Sequence, residues 1–224
     1  MRPEVIVHNT VSLDGCVTGF DVDLELHYEL AGKVDTQATL IGSGTARAGL
    51  ELFGEGAAAG MADTAAPPID PGDARPLWVL LDSQGALAGR LHALWGSGYC
   101  RGLLVATSER TPAAYLDHLR QHHVEHHVLG ADRVDLGRLL DLLGERHGVR
   151  RVLVDAGPTL VGVLLDGELV DRLSLIVAPH LAGTSVVLLG KVRRAGGLAL
   201  VKAEETRGGC VHLEYRRAAA VPAG

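Results

Sequence analysis

Three short stretches pair a carboxylate or hydroxyl with glycines that let a backbone approach a ligand. In Asp155-Ala156-Gly157-Pro158-Thr159-Leu160 a carboxylate ends the run Arg151–Val154 and glycine follows. The proline is preset for the first turn of a helix. Such a helix aims free N–H groups beyond the carboxyl end of the strand, which suits an anion, although the same residues also make an ordinary strand-to-helix turn. Ser12-Leu13-Asp14-Gly15 places a carboxylate before a turn glycine after a first apolar strand, again readable as a plain Asp-Gly turn. Gly42-Ser43-Gly44-Thr45 sets backbone amides and a hydroxyl at another strand end, with Arg47 adding charge. It lacks the Lys-Ser/Thr of a Walker loop, and Arg47 stands where the third glycine of the dinucleotide fingerprint belongs. Those residues allow either an anion cradle or a tight structural turn.

Other reactive groups read as structure. His122, His123, His126 and His127 invite a metal pair spaced four apart on a helix. The segment runs instead from a helix end into a strand through Val124 and Val128, so a solvated helix end is expected, and no metal site. Arg150-Arg151 and Arg193-Arg194 read as solvated surface. Cys16, Cys100 and Cys210 are odd in number, far apart and form no CxxC, which argues against a disulfide framework or thiolate zinc and for a reducing compartment. No positioned base activates Cys16.

The elements that must position these groups alternate. Strands are expected at Glu4–Thr10, Ala38–Ile41, Leu77–Leu81, Gly102–Thr107, Val124–Leu129, Val152–Asp155 and Arg172–Ala178. Helices are expected at Asp23–Lys33, at Thr111–Gln121 with Thr111 as N-cap, at Leu136–His147, and from Pro158 onward. Such alternation implies an α/β fold with a largely parallel sheet flanked by helices. Leu198–Glu205 and Gly209–Arg217 read as an antiparallel hairpin turning at Arg207-Gly208-Gly209. The Ala/Gly/Pro-rich stretch 56–76 is read as a flexible surface loop within one domain, residues 1–217, followed by a tail, 218–224.

With 224 residues, 47% hydrophobic and 21% charged, the chain is neither disordered nor coiled coil. The net charge of -6 argues against nucleic-acid binding, which needs a basic surface. No run approaches the roughly 20 apolar residues of a membrane span, and the first residues lack a signal peptide's apolar stretch. A cytoplasmic protein with no membrane partner is expected.

Together, Val11–Gly15, Gly42–Thr45, Leu81-Asp82-Ser83-Gln84, Asp155–Leu160, Leu169–Leu173 and Ala178–Gly183 resemble the pyrimidine reductase of riboflavin biosynthesis, a branch of the dihydrofolate-reductase-like superfamily. The sequence carries no His-x-Glu paired with Pro-Cys-x-x-Cys, the deaminase signature of bifunctional relatives. The resemblance implies a mixed, mostly parallel sheet, a homodimer, NADPH as cofactor and a small-molecule substrate. The reaction it implies opens a ribosylamino-pyrimidine to an imine and reduces it to a ribitylamino chain. It assigns the cofactor diphosphate to Ala156, Gly157, Pro158, Thr159 and Leu160, further cofactor contacts to Gly44, Thr45, Ser83 and Thr107, and catalytic carboxylates to Asp14 and Asp155. Arg110, shortly after Thr107, reads either as a grip for the adenosine 2′-phosphate or as part of a plain N-terminal helix region.

Two departures bear on the substrate. Most members carry Glu where Asp155 stands. The family's Asp-Asp-Pro-x-Leu-Thr segment is replaced by Gly49-Leu50-Glu51-Leu52-Phe53-Gly54. They leave open a reductase of the same cofactor acting on a pterin, folate or specialised metabolite, and a protein that binds nucleotide without turnover.

Overall fold

The computed structural model describes residues 1–52, 63–70, 72–194 and 196–218. Residues 56–62 and 71 of the Ala/Gly/Pro stretch and 219–224 of the tail lie outside the described residues. In chain order the elements are β1 (Glu4–Ser12), α1 (Leu24–Gly32), β2 (Ala38–Gly42), α2 (Ser43–Leu52), β3 (Leu77–Leu81), α3 (Leu91–Gly96), β4 (Leu103–Thr107) and α4 (Ala113–Gln121). There follow β5 (Glu125–Val128), α5 (Leu136–Arg146), β6 (Arg151–Asp155), α6 (Pro158–Asp166), β7 (Arg172–Ala178), β8 (Leu198–Glu205) and β9 (Val211–Arg217).

They form two compact units. The first, Met1–Pro3 with Thr36–Arg150, holds four parallel strands in the order β5-β4-β3-β2. Its apolar cluster joins Ile41, Leu80, Leu87, Leu91, Val105, Tyr115 and Leu119. Helix α5 shows how the pattern dictates the element: Leu136, Leu139, Leu140 and Leu143 fall on one buried face. Asp135 caps it by accepting from Arg138 N–H at 3.0 Å.

The second unit, Glu4–Asp35 with Arg151–Gly224, orders its strands β6-β1-β7-β9-β8. Here β1 runs parallel to β6 and β7, while β9 is antiparallel to β7 and β8. The α/β class, the parallel strands and the antiparallel C-terminal hairpin are as expected. No described helix is long and apolar enough to cross a membrane.

Two local expectations are corrected. Thr111 does not cap α4: the N-cap is Pro112, and the Thr111 hydroxyl instead accepts from Ser108 N–H at 3.0 Å. Ser43, Gly44 and Thr45 belong to the first turn of α2 rather than to a separate turn, because β2 passes into that helix without a break. Helix α3 had no cue in its short sequence. The described part of the Ala/Gly/Pro stretch also contains a buried anchor, Asp63. It accepts from Gly89 and His92 N–H at 2.7 and 3.0 Å and pairs with the rings of His92 and His118 at 2.8 and 2.7 Å. Burial raises its carboxyl, but these bonds bring it below the ordinary carboxylate range.

Gly85 turns the chain after β3 with φ of 74°, and a Cβ there would lie 2.9 Å from Tyr115 Cγ. Gly85→Ala is therefore expected to lower stability by more than about 1 kcal/mol. A urea midpoint unchanged from wild type would contradict the packing described.

Candidate active site

In the second unit, β1 is buried on nearly its whole length yet carries His8, Asn9, Thr10 and Ser12. A buried polar group must find a partner, and those of Asn9, Thr10 and Ser12 lead to the turn after β6, to His27 beside Asp155, and to Asp14. Asn9 donates through Nδ2 to the Ala156 carbonyl at 3.2 Å, holding the turn that follows β6. Thr10 Oγ1 lies 3.0 Å from Nδ1 of His27 on α1. The other ring nitrogen of His27 lies 4.0 Å from Asp155 Oδ2. Ser12 donates to Asp14 Oδ1 at 2.5 Å and accepts from Cys16 N–H at 2.9 Å.

The proton positions around His8 follow from its neighbours. His8 Nε2 sits 3.1 Å from the His27 carbonyl, which only accepts, so Nε2 carries the proton. Burial, reinforced by His27, lowers this ring to about 3 and keeps it neutral. Nδ1 therefore accepts from the Ser174 hydroxyl at 2.9 Å. Ser174, its proton so used, accepts from Nε2 of His212 at 2.8 Å. Sequence reasoning passed over His8, His27 and His212, since an isolated histidine in an apolar segment gives no local sign of what it will meet.

The two carboxylates differ in state. Asp155 keeps 24% of its side-chain surface, and burial raises it above the ordinary carboxylate range, with His27 pulling the other way. His27 is itself lowered by burial, opposed by Asp155. Asp14 is exposed and accepts from Ala182 and Gly183 N–H at 3.0 and 2.8 Å as well as from Ser12. These bonds, the Ser12 hydroxyl first, hold it at about 2, so it is ionised.

Helix α6 begins directly after Ala156 and Gly157. Gly157 is its N-cap and offers no side chain to its amides; Pro158 occupies the first turn. A Cβ built on Gly157 meets nothing within 4 Å, so the space before the helix is open. Lys191 Nζ donates to Thr159 Oγ1 at 2.7 Å, and the Lys191 backbone packs where Gly162 lacks a side chain. A cation thus joins the positive end of the helix. Sequence reading missed Lys191, which lies 32 residues from its partner.

In the first unit, Thr45 is half-buried in α2, and Gly44 is exposed with nothing within 4 Å of a built Cβ. Ser83 is half-buried beside Asp82, whose carboxylate accepts from Ala86 and Leu87 N–H at 3.0 and 2.9 Å and so shapes the turn. Thr107 is wholly buried and donates its hydroxyl to the His127 carbonyl at 3.1 Å. Arg110 forms an exposed ion pair with Asp132 at 2.5 Å.

With this geometry in view, the chain matches the model of the RibD C-terminal domain over residues 3–211. The chain belongs to the RibD C-terminal domain family. A curated relative from Methanothermobacter thermautotrophicus, named 2,5-diamino-6-ribosylamino-4(3H)-pyrimidinone 5′-phosphate reductase, is 30% identical over 194 residues, 82% of this chain and 81% of the relative. A protein of the same name from Archaeoglobus fulgidus is 28% identical over 192 residues, 82% of this chain and 83% of its own. A solved pyrimidine reductase-like protein from Corynebacterium diphtheriae has the same fold, with a TM-score of 0.70 at 20% identity, over 97% of this chain and 92% of that one.

Two outcomes follow from the geometry. Gly157→Ala fits both the backbone angles and the protein, so stability should stay within about 0.5 kcal/mol of wild type. It fills the open front of α6, the place the family resemblance assigns to a cofactor diphosphate, and on that assignment dinucleotide affinity measured by fluorescence titration should fall more than about tenfold. Separately, burial lowers the His8 ring to about 3 from the ordinary 6.5 of histidine, so unfolding takes up protons between these values. The melting temperature should therefore drop as pH falls below about 6.5, and His8→Gln should flatten that slope.

Proposed function

We propose that the protein is an oxidoreductase that uses NADPH to reduce a ribosylamino-pyrimidine 5′-phosphate to its ribitylamino form. The observation that carries this reading is the uncapped start of α6 directly after Asp155, flanked by Lys191, in a chain whose curated relatives bear that reductase name. A diphosphate fits there: the amides of the first turn have no side-chain cap, Gly157 leaves the front open, and the Lys191 charge complements an anion. Residues Ala156 to Leu160 would hold it. Gly44, Thr45 and Ser83 are assigned as further cofactor contacts. Thr107 acts by holding its strand end, its hydroxyl being engaged.

When bound, NADPH supplies the hydride. The chain's own groups must handle charge and the proton that the substrate nitrogen gains. Asp155 is suited to carry the proton, because burial favours its neutral form. Once it has given the proton, its carboxylate faces the His27 ring at 4.0 Å, and that negative charge favours protonation of the ring against the effect of burial. Asp14, already ionised, supplies negative charge to an iminium and clips the 180–183 segment.

A second reading keeps the cofactor and changes the substrate to a pterin, folate or specialised metabolite. The observation favouring it is α2, which runs on through Gly49–Leu52 where the family resemblance leads one to expect Asp-Asp-Pro-x-Leu-Thr. The proposal includes a cytoplasmic homodimer. Among the described residues β8 has β9 on one side only and exposes Leu198, Leu200 and Val201, apolar surface that a second copy would cover.

The test follows nicotinamide absorbance with NADPH or NADH and the pyrimidine ribosylamino phosphate. Oxidation of NADPH is expected, with Asp155→Asn lowering kcat by about 10²–10⁴ while NADPH affinity holds. Asp14→Asn should lower turnover too, and full turnover in it would remove the role given to Asp14. Tight dinucleotide binding without oxidation would favour the second reading. Absence of any dinucleotide binding would overturn both.

A further inference from the structure

The histidine-rich segment after α4 takes no part in the function proposed above. It enters β5, where alternation puts Glu125 and His127 on one face and His126 on the other. His126 turns its Nδ1 to the Val124 carbonyl at 2.9 Å. Glu125 and His127 instead meet His147, the C-cap of α5. Glu125 Oε1 lies 3.1 Å from His127 Nε2 and 3.0 Å from His147 Nε2, and the three donor atoms all lie within 4.8 Å of one another.

We propose that Glu125, His127 and His147 form a binding site for a divalent cation of the zinc type. Two imidazoles and one carboxylate are the donor set that zinc, cobalt and nickel favour over magnesium or calcium. Tetrahedral bonds of about 2.0–2.1 Å put neighbouring donors about 3.4 Å apart, close to the two separations from Glu125 Oε1. A second observation separates this arrangement from an ordinary ion pair. His147 Nε2 is shut off from solvent and makes no well-aligned hydrogen bond despite its short distance to Glu125. A cation set off the line between them would satisfy both groups. The side chains of Glu125, His127 and His147 keep 34%, 20% and 15% of their surface exposed, which gives a route from solvent. Three protein donors leave a fourth position for water. The bound ion would tie β5 to the end of α5.

The experiment strips the full chain with chelator, then titrates Zn²⁺ by calorimetry and Co²⁺ by visible absorption. One equivalent is expected, with a tetrahedral cobalt spectrum and a melting temperature that rises with Zn²⁺. His147→Ala, His127→Gln and Glu125→Gln should each weaken binding more than about tenfold, while His126→Ala, on the opposite face, should bind as wild type does. Any one of the three that melts like the metal-free wild type serves as the test. Failure to bind either ion, or equal binding in such a variant, would overturn the proposal. The readouts involve no nicotinamide or substrate, so they stand apart from the reductase assay.

Discussion

The second unit is organised by the need to satisfy polar side chains buried along one strand. β1 lies between β6 and β7, where a run of aliphatic residues would suffice for packing. His8, Asn9, Thr10 and Ser12 interrupt that run, and an unpartnered polar atom in such a place costs roughly 1–3 kcal/mol. Each is therefore bound to one arrangement. Asn9 holds the turn at Ala156, Thr10 holds His27 beside Asp155, and Ser12 holds Asp14. Strand registry and candidate chemistry are thereby joined: moving β1 by one residue would exchange its faces and break all three.

The same network explains why two aspartates of one unit have opposite characters. Asp14 accepts three hydrogen bonds in water-exposed surroundings and is held ionised. Asp155 has lost much of its water and faces a histidine that burial itself keeps from charging. Burial favours the neutral form of an acid and of a base alike, so the pair holds a proton without forming a full ion pair. Environments that separate two carboxylates in this way suit a division between proton carrier and fixed charge.

The cation beside α6 makes a complementary point about the anion end. A helix start alone offers partial charge that falls off within a turn. Lys191 adds a whole charge, brought in by a close backbone approach at Gly162 and a hydrogen bond to Thr159. That approach depends on the missing side chain at residue 162, a position whose local sequence reads simply as helix interior.

Local sequence determined the elements and the junctions between them. Apolar runs specify β1 to β4, β6 and β7, Asp155-Ala156-Gly157-Pro158 specifies a strand end followed at once by a helix, and the final glycine turn specifies the β8–β9 hairpin. These are legible because the period of a strand or helix and the preferences of Gly and Pro act within a few residues. Tertiary structure alone decided which distant groups meet. The Asp63 anchor, the His8–Ser174–His212 chain, the facing of His27 and Asp155, and the gathering of His147 with Glu125 and His127 all join residues far apart in the chain. Burial, and with it the protonation state of each group, belongs to the space around a side chain, and that space exists only once the strands have paired.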